Sequence, residues 1–279
     1  MTRAEKVVTF IYIVFIITLV LSGTLGGIVG EMVYYSAFMI PIAIGFYSSK
    51  SLKYEREEIA GIAEAPDTLL DVKRFDFKRL IPLIAPTVTV VFLISLVTSL
   101  VFALFGVSTP MVEQRNVFLM ILLHALVPAV LEELLFRYIP MKLLLPYSKR
   151  WCILYSAICF ALIHCSFLQI PYAFAAGVIF MAIDVAMGSV WPSLILHFVN
   201  NTASVIWIKY CSGMTASAIF ISVMLILSIV SLIFIYKKRG TYKEMFLGVF
   251  DKEDGFAVTY APVALILITC YLASLNLFS

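Results

Sequence analysis

Residues 116–138 read NVFLMILLHALVPAVLEELLFRY. Up to Leu131 the stretch is almost wholly apolar, and then Glu132, Glu133 and Arg137 follow within six positions. A run of this length matches the roughly 20 apolar residues that a helix needs to cross a bilayer. Charges at its end are costly in lipid, and where they occur they usually serve a function. Working outward, the same pairing of long apolar runs with a few sharply placed polar residues recurs along the chain. Of the 279 residues, 62% are hydrophobic and 13% charged, with a mean hydropathy of +1.04. Soluble domains sit near half apolar and a quarter charged, so lipid is the expected solvent for most of this surface.

Apolar segments of spanning length lie at about 7–29, 31–49, 80–106, 116–138, 151–169, 171–188, 191–209, 215–236 and 258–277. No alternating barrel pattern occurs, and lipid cannot satisfy open backbone groups, so each segment is expected as a helix. The fold class is therefore an all-α, polytopic transmembrane bundle of about eight to nine spans, with residues 1–279 forming a single membrane domain. Trp191-Pro192 opens one helix directly after the previous one ends, since proline is tolerated where the first-turn N–H has no intrahelical partner.

Lysine and arginine in short loops set orientation. Arg3 and Lys6 precede the first span, and Lys50 through Arg79 fill the second loop. Lys142, Lys149 and Arg150 follow the fourth span, and Lys237, Lys238, Arg239, Lys243 and Lys252 follow the eighth. With nine spans every basic block falls on one side, which predicts a cytoplasmic N-terminus and a C-terminus on the opposite side. Residues 49–79 then form a cytoplasmic linker of mixed charge, and 240–257 an amphipathic piece along the interface. The apolar run after MTRAEK continues to about Val29, so a retained first span is expected rather than a cleaved signal. The C-terminal NLFS has no cysteine four from the end, so the chain is not expected to be a prenylation target itself.

The net charge of +3 identifies no partner, and no basic patch of the kind that binds nucleic acid is visible. Cys152, Cys159, Cys165, Cys211 and Cys270 lie in or beside apolar runs with no CxxC pair, as small apolar fillers do.

The polar residues inside the spans form three blocks: EELLFR (Glu132, Glu133, Arg137), FALIH (Phe160, His164) and HFVNN (His197, Asn200, Asn201). All 3 histidines of the chain, His124 included, fall inside spans. Glu133 and Arg137 are four apart on one helix face and can pair. Glu132 points about 100° away and is left for another partner. Phe160 shares a face with His164, and His197 with Asn201. Peptide hydrolysis needs a base for water and donors aimed at the developing oxyanion, and Glu, His and Asn suit these tasks. The competing account is a buried polar network that only holds helices together. For His124, Asn200 and the pair Glu133–Arg137 a structural role is the expectation. Asp184, in the sixth span, stands between a structural pair and a place on a substrate path.

In this order, on successive spans, EExxxR, FxxxH and HxxxN resemble the CAAX protease and bacteriocin-processing family, the Rce1-like or Abi membrane proteases. MGSVWPSLILHFVNN (187–201) also resembles the usual run-up to the third block, and nothing departs from the family pattern at the motif positions. The resemblance covers about residues 115–209, which it marks as the catalytic core spans. It implies an intramembrane glutamate-type endopeptidase. Glu132 would be the general base that activates water, with His164 helping to hold that water. His197 and Asn201 would be the oxyanion-stabilising pair, Glu133 and Arg137 the structural pair, and Phe160 a wall of the pocket. The implied substrates are a prenylated CAAX-type protein, cut near its C-terminus, or a small peptide precursor. The implied partners are that substrate and the lipid bilayer, with no nucleic acid and no cofactor.

HExxH, GxSxG and GxGD are absent from the sequence, so three other protease signatures do not apply. Two histidines and a glutamate are also a usual catalytic zinc set, which keeps zinc as the minor alternative. From other classes, a non-catalytic scaffold or bacteriocin immunity protein that keeps the protease fold is one alternative. A transporter is another, but the halves show no paired symmetry.

Overall fold

The computed structural model describes residues 3–23, 27–51, 69–71, 75–107, 116–164 and 166–250. The chain is helical, with no strand among the described residues. The helices are α1 (Arg3–Gly23), α2 (Gly27–Ser51), α3 (Phe77–Leu104), α4 (Val117–Leu143), α5 (Lys149–Leu162), α6 (Ile170–Met187), α7 (Trp191–Tyr210), α8 (Met214–Lys237) and the short α9 (Arg239–Met245).

Among the described residues, four of these, α3, α4, α6 and α8, are long and apolar enough to cross a membrane. Most of the expected segments coincide with helices to within a few residues. The segment expected at 258–277 and most of the 49–79 linker lie outside the described residues. One expectation is corrected. The fifth segment was expected to run over 151–169, but α5 stops at Leu162 and is 14 residues long. At about 1.5 Å per residue that is roughly 21 Å, short of a hydrocarbon core of about 30 Å. α5 closes with the Ile163 N–H on the Cys159 carbonyl and the His164 N–H on the Ala161 carbonyl at 3.4 Å, and a separate turn, in which the Ser166 carbonyl accepts the Gln169 and Ile170 N–H groups at 3.0 and 2.9 Å, leads into α6 with Pro171 in its first turn. α7 has the length to span but is interrupted by Ser193, His197, Asn200 and Asn201.

α4 is the axis of the fold and is not a uniform helix. It contains two π-turns, Leu122–Leu126 and Leu134–Tyr138, each ending two residues before a proline, Pro128 and Pro140. An interior proline lacks a donor and presses on the carbonyl four residues back, and a widened turn relieves that contact. In the first π-turn the Val127 N–H reaches back to Leu122, and the Leu123 carbonyl loses its helical donor. The Tyr35 hydroxyl of α2 donates to it at 2.6 Å. Pro140 has no N–H for the Phe136 carbonyl, and there the Ser156 hydroxyl of α5 donates instead.

Around the second half of α4 the packing is dense. Tyr12 of α1 stacks on Phe136 at 5.3 Å, and Phe15 meets Phe136 edge-on at 5.9 Å. α5 and α6 approach closely at Gly177, where a Cβ would come within 2.8 Å of the Ala157 Cα, so only glycine fits. α3 lies against α6, α7 and α8. One end of the bundle gathers the basic loops. The Leu69 carbonyl accepts from the Val190 N–H, and the Leu70 carbonyl from the Trp191 indole at 2.7 Å. Tyr242 donates to the Arg79 carbonyl at 3.2 Å, and Lys149 to the Gly248 carbonyl at 3.4 Å.

Candidate active site

α4, α5, α6 and α7 each bring side chains to one buried polar cluster. From α4, Glu132 is 6% exposed, Glu133 1% and Arg137 0%. Glu133 Oε2 lies 3.3 Å from Arg137 Nε, the pairing that the four-residue spacing anticipates. Its other oxygen, Oε1, accepts from His197 Nδ1 at 2.7 Å. One carboxylate thus holds a cation on its own helix and a histidine on α7. Glu132 Oε2 stands 3.8 Å from His197 Nε2. That gap exceeds a hydrogen bond and is of the kind that a bridging water fills.

The His197 ring is therefore held between two neighbouring carboxylates, one on each nitrogen. Nδ1 faces an acceptor, so it donates to Glu133, and Nε2 points toward Glu132. Ring contacts hold the plane, with Phe160 edge-on at 5.6 Å and Phe180 at 5.9 Å. Phe160 also lies under the Arg137 guanidinium, 4.3 Å from its centroid, and Phe180 is 5.9 Å from it. A buried guanidinium gains from aromatic faces because the ring quadrupole attracts a cation. Its nitrogens have no hydrogen-bond partner among the described residues, so the Glu133 pair and the two rings are what compensate the charge.

His164 sits in the turn just past α5 rather than within a span. Its Nδ1 donates to the Phe160 carbonyl at 2.9 Å, which leaves Nε2 of the neutral ring as the acceptor. Its ring meets Phe160 edge-on at 5.2 Å, so Phe160 links His164, His197 and Arg137. Asn201 follows His197 by one turn on the same face of α7. Its Oδ1 accepts from Asn200 Nδ2 at 3.3 Å, leaving its own Nδ2 as a donor. His124, on the first π-turn, is exposed. Among the described residues, no group of three His, Cys, Asp or Glu side chains is gathered to hold a metal ion.

Several features were not anticipated from the sequence. The second bond of Glu133, to His197, crosses helices and has no signature in either motif. Asn200, for which a structural role is the expectation, donates to the Asn201 side chain. Asp184 caps α7 from the end of α6, its Oδ1 accepting the Ser193 N–H at 2.9 Å. Pro128 and Pro140 were the visible signal for the π-turns: two interior prolines twelve positions apart in one span.

The family profile described as type II CAAX prenyl endopeptidase Rce1-like matches residues 114–203. That stretch contains all three motif blocks and every residue of the cluster, so the resemblance drawn from the motifs holds over it. Comparison with curated proteins and with solved structures found no match.

Proposed function

We propose that this chain is an intramembrane endopeptidase that hydrolyses a peptide bond with water activated by Glu132. One observation carries the reading: Glu132, His197, Glu133 and Arg137 stand as a buried chain of neighbouring groups, with 3.8 Å between Glu132 and His197, inside the stretch that matches the Rce1-like profile. An arrangement of this kind supplies what hydrolysis requires. Water between Glu132 and His197 gives its proton to the Glu132 carboxylate while its oxygen attacks the scissile carbonyl. Glu132 then passes that proton to the leaving amine. His164 Nε2, with its lone pair outward, helps to hold the water. The developing oxyanion is stabilised by His197 and the Asn201 amide. For His197 to donate from Nε2 while Nδ1–H stays on Glu133, the ring must carry both protons. Glu133 and Arg137 hold the ring in place rather than touch the substrate, and Phe160 walls the pocket.

The substrate is a prenylated CAAX-type protein cleaved near its C-terminus, or a small peptide precursor. The surrounding bundle has eight to nine spans in one membrane domain, with 115–209 as catalytic core and 49–79 as cytoplasmic linker. The N-terminus is cytoplasmic, the C-terminus lies on the opposite side, and the site opens toward the basic, cytoplasmic end. The chemistry is metal-free.

The test is cleavage of a prenylated CAAX-type peptide by the purified protein in detergent, for wild type and Glu132→Gln, each with and without a strong chelator. Cleavage lost in the variant and kept with chelator is the expected result. Loss with chelator in the wild type would move the chemistry to zinc. A wild type that cleaves neither this peptide nor unprenylated peptide precursors would favour a non-catalytic scaffold.

A further inference from the structure

Asp184 has no part in the chemistry above, yet it is fully buried one helix turn below it. Its backbone carbonyl ends α6, accepting from the Gly188 N–H and, at 3.2 Å, the Ser189 N–H. Gly188 has φ 65, a conformation that glycine adopts without strain and that reverses the chain. The Asp184 side chain begins the next helix: Oδ1 accepts the Ser193 N–H at 2.9 Å, one of the orphan donors of the α7 first turn. The Ser189 hydroxyl takes the Trp191 N–H at 3.3 Å, a weaker hold on the same turn. Among the described residues, Oδ2 of Asp184 is buried without a hydrogen-bond partner.

Ser193 and His197 are four apart on α7, on one face and separated by about 6 Å of rise. The bond at Ser193 therefore sets the height and rotation at which the His197 ring enters the cluster. That ring makes a 2.7 Å bond to Glu133 and stands 3.8 Å from Glu132. A displacement of about 1 Å would break the first and change the second, and misplacements of that size cost catalysis heavily.

We infer that Asp184 is a positioning residue, holding the first turn of α7 through the Ser193 N–H so that His197 stays between Glu132 and Glu133. The kinetic part of this inference rests on the hydrolase reading, while the placement of His197 does not. The test uses the full chain in detergent, labelled with ring-¹⁵N histidine. With 3 histidines in the chain, the ring signals are assigned by single His→Gln variants. Asp184→Ala is expected to shift or broaden the hydrogen-bonded Nδ1–H signal of His197 while leaving that of His124 in place. It should lower kcat by about 10-fold or more with KM within about twofold. Asp184→Asn keeps an oxygen for the same N–H, and is expected to keep the wild-type ring signal and about a third or more of kcat.

An Asp184→Ala protein that is folded and shows an unchanged His197 signal overturns the inference. So does Asp184→Asn disturbing the ring as much as alanine does, since the effect would then belong to charge. If the wild type cleaves nothing, the hydrolase reading fails, and the ring signal alone decides this one.

Discussion

α4 and α8 are both long, apolar and able to cross a membrane, and they solve that problem in opposite ways. α8 is a continuous helix without proline, its side chains exposed nearly all round, with Ser228 its only buried residue. Ile219, Ile226 and Val230 are each about 60% exposed, facing outward as lipid-contacting residues do. α4 contains two prolines and two π-turns, and from Leu135 to Leu144 every side chain is buried. Backbone irregularity at membrane depth is tolerated only where protein covers it, and each π-turn of α4 has a hydroxyl from another helix on a nearby carbonyl. The polar cluster is built on the helix that the rest of the fold has to support, and α8, at the periphery, needs no such support.

Substitutions should separate the two helices steeply. The largest effect is expected at Glu132. Glu132→Gln should lower kcat by about 10²- to 10⁴-fold without changing the thermal melt, whereas Ile226→Leu on α8 should leave peptide cleavage at the wild-type level. Next is Arg137→Met, which strands the Glu133 carboxylate in the interior. A loss of about 3 to 5 kcal/mol is expected, read by denaturant unfolding in mixed micelles, with part of it recovered by adding Glu133→Gln. If Arg137→Met melts like the wild type, the pair is not what holds the cluster.

A smaller loss is expected from Ser156→Ala, which uncovers the Phe136 carbonyl below the second π-turn. Leaving a buried acceptor unmet costs about 1 to 3 kcal/mol, and a cost near zero would show that the proline-widened turn needs no outside donor. The smallest belongs to α8. Its Ser228 hydroxyl pairs with that of Thr89 on α3 at 2.7 Å, and Ser228→Ala should cost about 0.6 kcal/mol, the usual worth of such a contact between membrane helices. A loss there as large as that of Ser156→Ala would erase the contrast between the two helices.

Helix positions could be read from the chain because apolar run length and the turn residues around it are local properties. α6, α7 and α8 each begin and end within one or two residues of where 171–188, 191–209 and 215–236 place them. The Glu133–Arg137 pair could be read for the same reason, since both partners stand on one helix face. α5 could not. Its apolar composition continues past Leu162, but the helix closes there with the Ile163 N–H on the Cys159 carbonyl, His164 lies just beyond it, and a second turn at Ser166 leads into α6. A hydropathy window averages across such a turn.

The chain therefore specified, from spacing alone, which polar residue types would be set inside apolar surroundings: two glutamates, an arginine, two histidines and two asparagines in three short blocks. Their partners across helices were decided by the packing of α4 against α5 and α7 and of α6 against α7. Only there does Glu133 reach His197, Phe160 come under Arg137, and Asp184 receive the Ser193 N–H. A residue's spacing on its own helix is fixed by the 3.6-residue turn, whereas the rotation and height of one helix against another depend on every contact between them.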